Sequence, residues 1–207
     1  VTTGTYTVTA HAVGAGGASA DCSVNIEART LTQLEQKLAL HSIYFPTAQP
    51  TVDNPSGGLV DSQKEILVTL ASDFKTYLET NPDAKLLLEG HADPRASVEY
   101  NQALSQRRVD RTRKFLIEQG IPADDIQTRA FGEEQNLTDD QIRAEIAGNP
   151  ELTPEQRQKV LDNLTTIILA SNRRVDVILT TTGQRSLRQY PFNAVDSLTL
   201  LQQDAPR

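Results

Sequence analysis

The segment 84–120 sets the narrowest limit on the fold. An apolar run over 84–90 ends in Gly90, a polar loop fills 91–97, and a long stretch of helical periodicity over 98–119 stops at Gly120. Glycine just past a helix favours a left-handed cap. A short apolar strand that feeds a long helix must be covered by such a helix, which points to a layered α/β arrangement. The pattern repeats on both sides. Residues 43–45 read as a short strand, followed by a Pro- and Gly-rich loop over 46–58. Residues 59–80 read as a helix, with Ile66, Leu70, Phe74 and Tyr77 at helical spacing and Asn81-Pro82 as its stop. A third strand is predicted over 126–131. A fourth is predicted over 173–181, with Val175, Val177 and Leu179 on one face.

The two ends and one internal stretch depart from this alternation. In 1–28, Thr5, Thr7 and Thr9 alternate with Tyr6, Val8 and Ala10, then Gly14-Ala15-Gly16-Gly17 makes a turn and alternation resumes over 23–26. This is a β-hairpin pattern, and it resembles the last two strands of an immunoglobulin-like domain, so 1–28 reads as the remnant of one. Residues 29–41 read as a linker or short helix. Within 133–164, Thr138 to Gln141 and Thr153 to Gln156 both have capping-box form, the second with Pro154 at the first helical position. Two helices are therefore expected, outside any binding pocket. The stretch 133–163 holds eight acidic and three basic residues, which suits either a solvated pair of helices or an acidic surface for envelope proteins. Residues 183–207 read as a C-terminal extension that says nothing of function.

Composition excludes several classes. Twenty Lys and Arg stand against 27 Asp and Glu, a net charge of −7, which argues against nucleic acid as a partner. The longest apolar runs, Leu86-Leu87-Leu88 and Ile167-Ile168-Leu169-Ala170, fall far short of the ~20 residues of a spanning helix. There is no methionine, even at position 1, which reads as a processed product or a piece of something longer, and the first residues have no signal-peptide pattern. The single cysteine, Cys22, rules out an internal disulfide and a Cys-rich metal site. It reads as a buried strand thiol.

The candidate site lies where the 84–90 strand ends. His91 and Asp93 sit on the loop beyond Gly90, and the ends of strands in open α/β layers are where ligands bind. On the next helix Asn101, Leu104 with Ser105, and Arg108 share one stripe. A carboxylate on the loop and a guanidinium on the helix could face a common cleft and suit a zwitterion, Asp93 accepting from an ammonium and Arg108 clamping a carboxylate. A plain helix-to-loop salt bridge fits the same residues. A metal site started by His91 and Asp93, with His41 and His11 as remote partners, lacks any His-x-x-x-His pair. No Gly-x-Ser-x-Gly elbow and no phosphate-cradling loop is present. Catalytic residues, a metal and cofactors are therefore not expected, and neither is enzymatic activity. Arg107, Arg108, Arg111, Arg113 and Lys114 make one helix basic without interleaved aromatics, which reads as an ordinary charged face with one pocket arginine.

These same residues carry a family resemblance. Gly90-His91-Ala92-Asp93, then Tyr100-Asn101-Gln102-Ala103-Leu104-Ser105-Gln106-Arg107-Arg108, then Phe131-Gly132-Glu133 and Asn172-Arg173-Arg174-Val175 resemble, in order and spacing over about 41–181, the OmpA-like C-terminal domain. That module is shared with peptidoglycan-associated lipoproteins and flagellar stator B subunits. The resemblance implies a two-layer α+β fold within the α/β class: a β-α-β-α-β-β core with a mixed four-stranded sheet over 42–182. It implies non-covalent binding of peptidoglycan through the diaminopimelate of the stem peptide, with Asp93, Arg108, Asn101 and Arg173 as ligand-binding residues and Ala92 and His91 beside them. It also implies a wall anchor in the periplasm, associated with the outer membrane and the cell wall. Two features depart from the family pattern. Pro46 stands where an aspartate is usual, leaving Asp53 and Asn54 as later polar candidates, and the acidic helical insert lengthens the loop before Asn172. A protein-interaction module on the same fold, without wall binding, is the alternative that these departures leave open.

Overall fold

The computed structural model describes residues 4–14, 16, 19–28, 35, 38 and 40–203, in two compact units that divide between Lys37 and Leu38. The linker or helix expected over 29–41 lies mostly outside the described residues.

The first unit is the hairpin. β1 (Gly4–Val13) pairs antiparallel with β2 (Ser19–Ala28), Gly4 opposite Ala28 and Val13 opposite Ser19. The ladder is longer at both ends than the alternation predicted. Strand alternation puts Tyr6, Val8 and Ala10 opposite Ile26, Val24 and Cys22 on one face. The other face carries Thr7–Asn25 and Thr9–Ser23 hydrogen bonds, both 2.8 Å, and a His11–Asp21 pair. Cys22 is exposed and free, not buried as its sequence context suggested. Val8, Val24 and Ile26 are exposed with it, because among the described residues of this unit no second layer covers the apolar face.

The second unit holds the alternating elements. In chain order they are β3 (Ile43–Tyr44), α1 (Asp61–Thr80), β4 (Leu86–Gly90), α2 (Val98–Glu118), β5 (Ile126–Ala130), α3 (Asp139–Gly148), α4 (Pro154–Asp162), α5 (Leu164–Ser171), β6 (Arg174–Leu179), β7 (Gln184–Arg185) and α6 (Ser197–Leu201). α1 buries Leu67, Leu70, Ala71, Phe74 and Tyr77 on one face. α2 starts at Ser97, whose hydroxyl accepts from the Tyr100 N–H at 3.3 Å, and ends before Gly120, whose φ of 92° favours glycine.

The sheet runs β3-β6-β4-β5, with β7 pairing β6 as a fifth, two-residue strand that the sequence did not announce. β4 and β5 are parallel, and β6 is antiparallel to both β4 and β3. β6 is buried along its whole length. Its polar face, Arg174 and Asp176, is therefore as covered as the Val175 and Val177 face.

The insert forms the two expected helices, each with a complete capping box. A third, α5, follows directly from the apolar run at 167–170. Leu137, Ile142, Ile146, Leu152, Leu164 and Ile167 make a separate core, with Phe192 and Leu201 packed against it. The C-terminal segment is thus part of the domain and not an appendage: Tyr190 and Leu200 are buried with Tyr44 and Ala170.

Candidate functional site

Strand register decides which loops meet. Ile43 and Gly90 both lie opposite Val175, and Gly90 lies opposite Ala130. β3, β4 and β5 therefore end at one edge of the sheet, where β6 begins. The segments 45–50, 91–97, 131–136 and Arg173 converge there. Gly90 is required by this arrangement: a Cβ at that position would lie 2.5 Å from the Ser105 carbonyl oxygen and 2.7 Å from Val109, so only glycine lets α2 approach the end of β4.

Asp93 is nearly buried and faces two arginines. Arg95 Nε donates to its Oδ1 at 2.7 Å and Nη2 to Oδ2 at 3.1 Å, while Arg173 Nη1 lies 3.7 Å from Oδ2. Burial opposes ionisation of this carboxyl. The hydrogen bonds and charge of Arg95, with the charges of Arg173 and Arg108, outweigh it and hold the pKa below the usual carboxylate range.

Arg173 is fully buried. It donates from Nε to the Phe45 carbonyl at 3.1 Å and from Nη2 to the Leu200 carbonyl, and its Nη1 has no hydrogen-bond partner. Burial lowers its pKa, and the charge of Asp93 opposes that shift.

Arg108 reaches the same region from α2 but does not open onto it. It is fully buried, with Nη1 donating to His91 O at 2.7 Å, Nε to Gln49 O at 3.0 Å and Nη2 to Pro46 O at 3.4 Å, and Phe45 lies under the guanidinium. Burial, with the charge of Arg173, pulls its pKa down to about 9. The expected open clamp is instead a staple beneath the 46–50 loop. Its neighbours behave alike: Arg107 donates to Pro50 O and Arg111 to Ser56 O, each at 2.9 Å. The face that read as an ordinary charged surface is occupied in holding loop carbonyls.

Asn101 is buried on α2, donating to Ala96 O at 3.3 Å and to Glu133. The Ala92 N–H donates to Gly132 O at 2.7 Å, and Ala92 O accepts from Asn136 at 3.0 Å. His91 points away from Asp93. Its ring stacks on Phe131 and lies 3.6 Å from Asp176, and burial, aided by the charge of Arg174, lowers its pKa to about 3. Asp53 and Asn54 stay in the exposed turn over 51–57. Thr47, not they, reaches the Asp93 side, within 3.2 Å of Arg95 Nη2.

A cavity of about 220 Å³ opens over Asp93, lined also by Thr47, Arg95, Tyr100 and Asn101. Sequence reasoning missed Arg95, Thr47 and the 200–203 carbonyls. Only Arg95 left a signal, two residues beyond Asp93 in the same loop. Among the described residues no group of His, Cys, Asp and Glu is placed to hold a metal ion, and no helix is long and apolar enough to cross a membrane.

Residues 53–150, just under half of the chain, match the model of the OmpA family, so this stretch is similar to an OmpA-like domain. The match includes Asp93, Asn101 and Arg108 and stops short of Arg173. Among curated proteins, the peptidoglycan-associated lipoprotein of Brucella melitensis is 42% identical over 59 residues, which is 28% of this chain and 35% of that protein. That of Haemophilus influenzae is 44% identical over 59 residues, 28% of this chain and 39% of that protein. That of Rhizobium meliloti is 30% identical over 93 residues, 45% of this chain and 47% of that protein. The matched stretch thus spans between a third and a half of these relatives. Among solved structures, the peptidoglycan-associated lipoprotein of Burkholderia pseudomallei aligns with a TM-score of 0.44 and 24% identity, over 69% of this chain and 92% of that one.

Proposed function

We propose that this domain binds peptidoglycan non-covalently, through the diaminopimelate of the stem peptide, and so anchors a parent envelope protein to the cell wall on the periplasmic side. One observation carries the reading. Asp93, held ionised, sits at the mouth of a cavity beside the buried Arg173, whose Nη1 has no hydrogen-bond partner. An amino-acid head group needs both an anion and a cation within a few ångströms. Asp93 accepts from the ligand ammonium, and Arg173 donates to its carboxylate. Asn101 borders the cavity. Arg108, through His91 O, fixes the loop that carries Ala92 and Asp93, and adds positive charge. The role is binding alone, with no bond made or broken and no cofactor. The domain-matched relatives, named as peptidoglycan-associated lipoproteins, support the same reading.

The test is co-sedimentation with purified insoluble peptidoglycan of the diaminopimelate type. Charged hydrogen bonds contribute ~1.5–3 kcal/mol, so Asp93→Ala is expected to weaken binding about ten- to hundredfold, with no release of muropeptides by either form. Unchanged binding by a folded Asp93→Ala variant overturns the assignment and leaves the interaction-module reading.

A further inference from the structure

The pocket is filled from within. Arg95 meets both oxygens of Asp93, where a ligand ammonium would sit, and its Nη1 donates to Gln203 O at 2.7 Å. On the other side the C-terminal segment presents backbone carbonyls to Arg173 Nη2 and to the Thr47 hydroxyl, while Arg173 Nη1 stays without a hydrogen-bond partner. Leu200 O and Gln202 O accept from Arg173 Nη2, the latter at 3.5 Å, and Gln202 O also accepts from the Thr47 hydroxyl. A guanidinium on the aspartate and neutral carbonyls beside the arginine take the two places that the ammonium and carboxylate of a zwitterionic ligand would occupy.

We propose that Arg95 and residues 202–203 act as a displaceable internal ligand that sets the affinity and charge requirement of this pocket; the proposal rests on the wall-binding reading above. The segment has one fixed and one loose part. Leu200 is buried against Tyr44, Ala170 and Tyr190. Beyond it Gln202 and Gln203 are exposed, and Arg95 is about one-third exposed. The strap can therefore lift at Leu201 while its anchor stays seated. A neutral carbonyl on a guanidinium is a weaker partner than a carboxylate, so a ligand carboxylate at Arg173 displaces the strap. Losing the Gln203 carbonyl in turn loosens Arg95 from Asp93, which admits the ammonium. A ligand with only one of the two charges opens half of the pocket. Apparent affinity is the intrinsic affinity reduced by the fraction of molecules already open.

The experiment is calorimetric titration with the soluble tripeptide L-Ala-D-Glu-meso-diaminopimelate, on the intact chain, a chain lacking 202–207, an Arg95→Gln variant and an Asp93→Ala control, with thermal melting to confirm folding. Removal of 202–207 and Arg95→Gln are each expected to tighten binding about three- to tenfold. In the intact chain, amide exchange at 201–203 is expected to rise on addition of the tripeptide. Equal or weaker binding by both folded variants, with Asp93→Ala still abolishing it, overturns the strap and leaves the wall-binding reading standing. No binding by any form overturns both.

Discussion

Arg173 and Arg174 are neighbours at the start of β6, both essentially buried, and each faces an aspartate; the two pairs nevertheless do different things. Arg174 Nε meets both oxygens of Asp176 at 3.0 and 3.1 Å, and Nη1 donates to Asn172 at 3.1 Å. Asp176 also accepts from the Ser42 hydroxyl at 2.6 Å, and Ser42 contacts Ser186 at 3.0 Å. That cluster is buried throughout, and the His91 ring that borders Asp176 at 3.6 Å has no hydrogen-bond partner on either nitrogen. Arg173 and Asp93 are 3.7 Å apart, one guanidinium nitrogen is unpartnered, and a cavity opens beside the carboxylate. Alternation along the strand sends the two arginines to opposite faces. The first pair is sealed inside the sheet, and the second is the one that the wall-binding proposal assigns to a ligand.

The sharpest way to break this contrast is to remove one partner from each pair. Arg174→Leu leaves Asp176 charged, buried and without its main partner, and is expected to cost ~3–5 kcal/mol of stability in denaturant unfolding. Asp93→Ala is expected to cost less, ~1–3 kcal/mol, because Arg173 retains its carbonyl partners, while peptidoglycan binding falls. Equal stability losses would erase the distinction.

The buried cluster also carries a pH signature. His91 has a pKa of about 3 in the fold against ~6.5 in the unfolded chain. Between those values the unfolded chain binds more protons, so stability falls as pH drops below about 6.5. The limiting slope is ~1.4 kcal/mol per pH unit. Unfolding curves from pH 7 to pH 4.5 are expected to show this loss, and His91→Phe to flatten it.

Two smaller effects test what lies outside both pairs. α4 fully buries none of its residues and packs only Val160 and Leu161, partly exposed, on the insert core, so its cap contributes a measurable share. Thr153→Ala is expected to lower stability by ~1 kcal/mol and to leave peptidoglycan binding unchanged. Removal of residues 1–28 is expected to leave the melting temperature of the second unit where it was. A downward shift would place the hairpin inside that unit.

Elements whose signals are local were legible in the residues. Helical periodicity at 66–77, both capping boxes, the Gly120 stop and the hairpin alternation each depend on neighbours within a few positions, and each is present. α5 was missed because an eight-residue helix that is apolar on most sides has the same short-range pattern as a buried strand. Cys22 was misjudged because burial depends on what covers a face, which alternation does not encode. At the site the sequence singled out Asp93, Asn101, Arg108 and Arg173 through spacing and resemblance.

Spacing could not say which arginine would keep an unpartnered nitrogen. That depends on Pro46, Gln49 and His91 carbonyls closing on Arg108, and on Leu200 and Gln202 arriving from nearly thirty residues beyond Arg173. The sequence by itself determined the order of the longer strands and helices, without α5, β7 and α6, and the polar residues at the sheet edge, because periodicity and capping are short-range. Only the tertiary structure decided which of those residues face a cavity and which are sealed, because a guanidinium takes its partners from whatever backbone the fold brings within 3 Å.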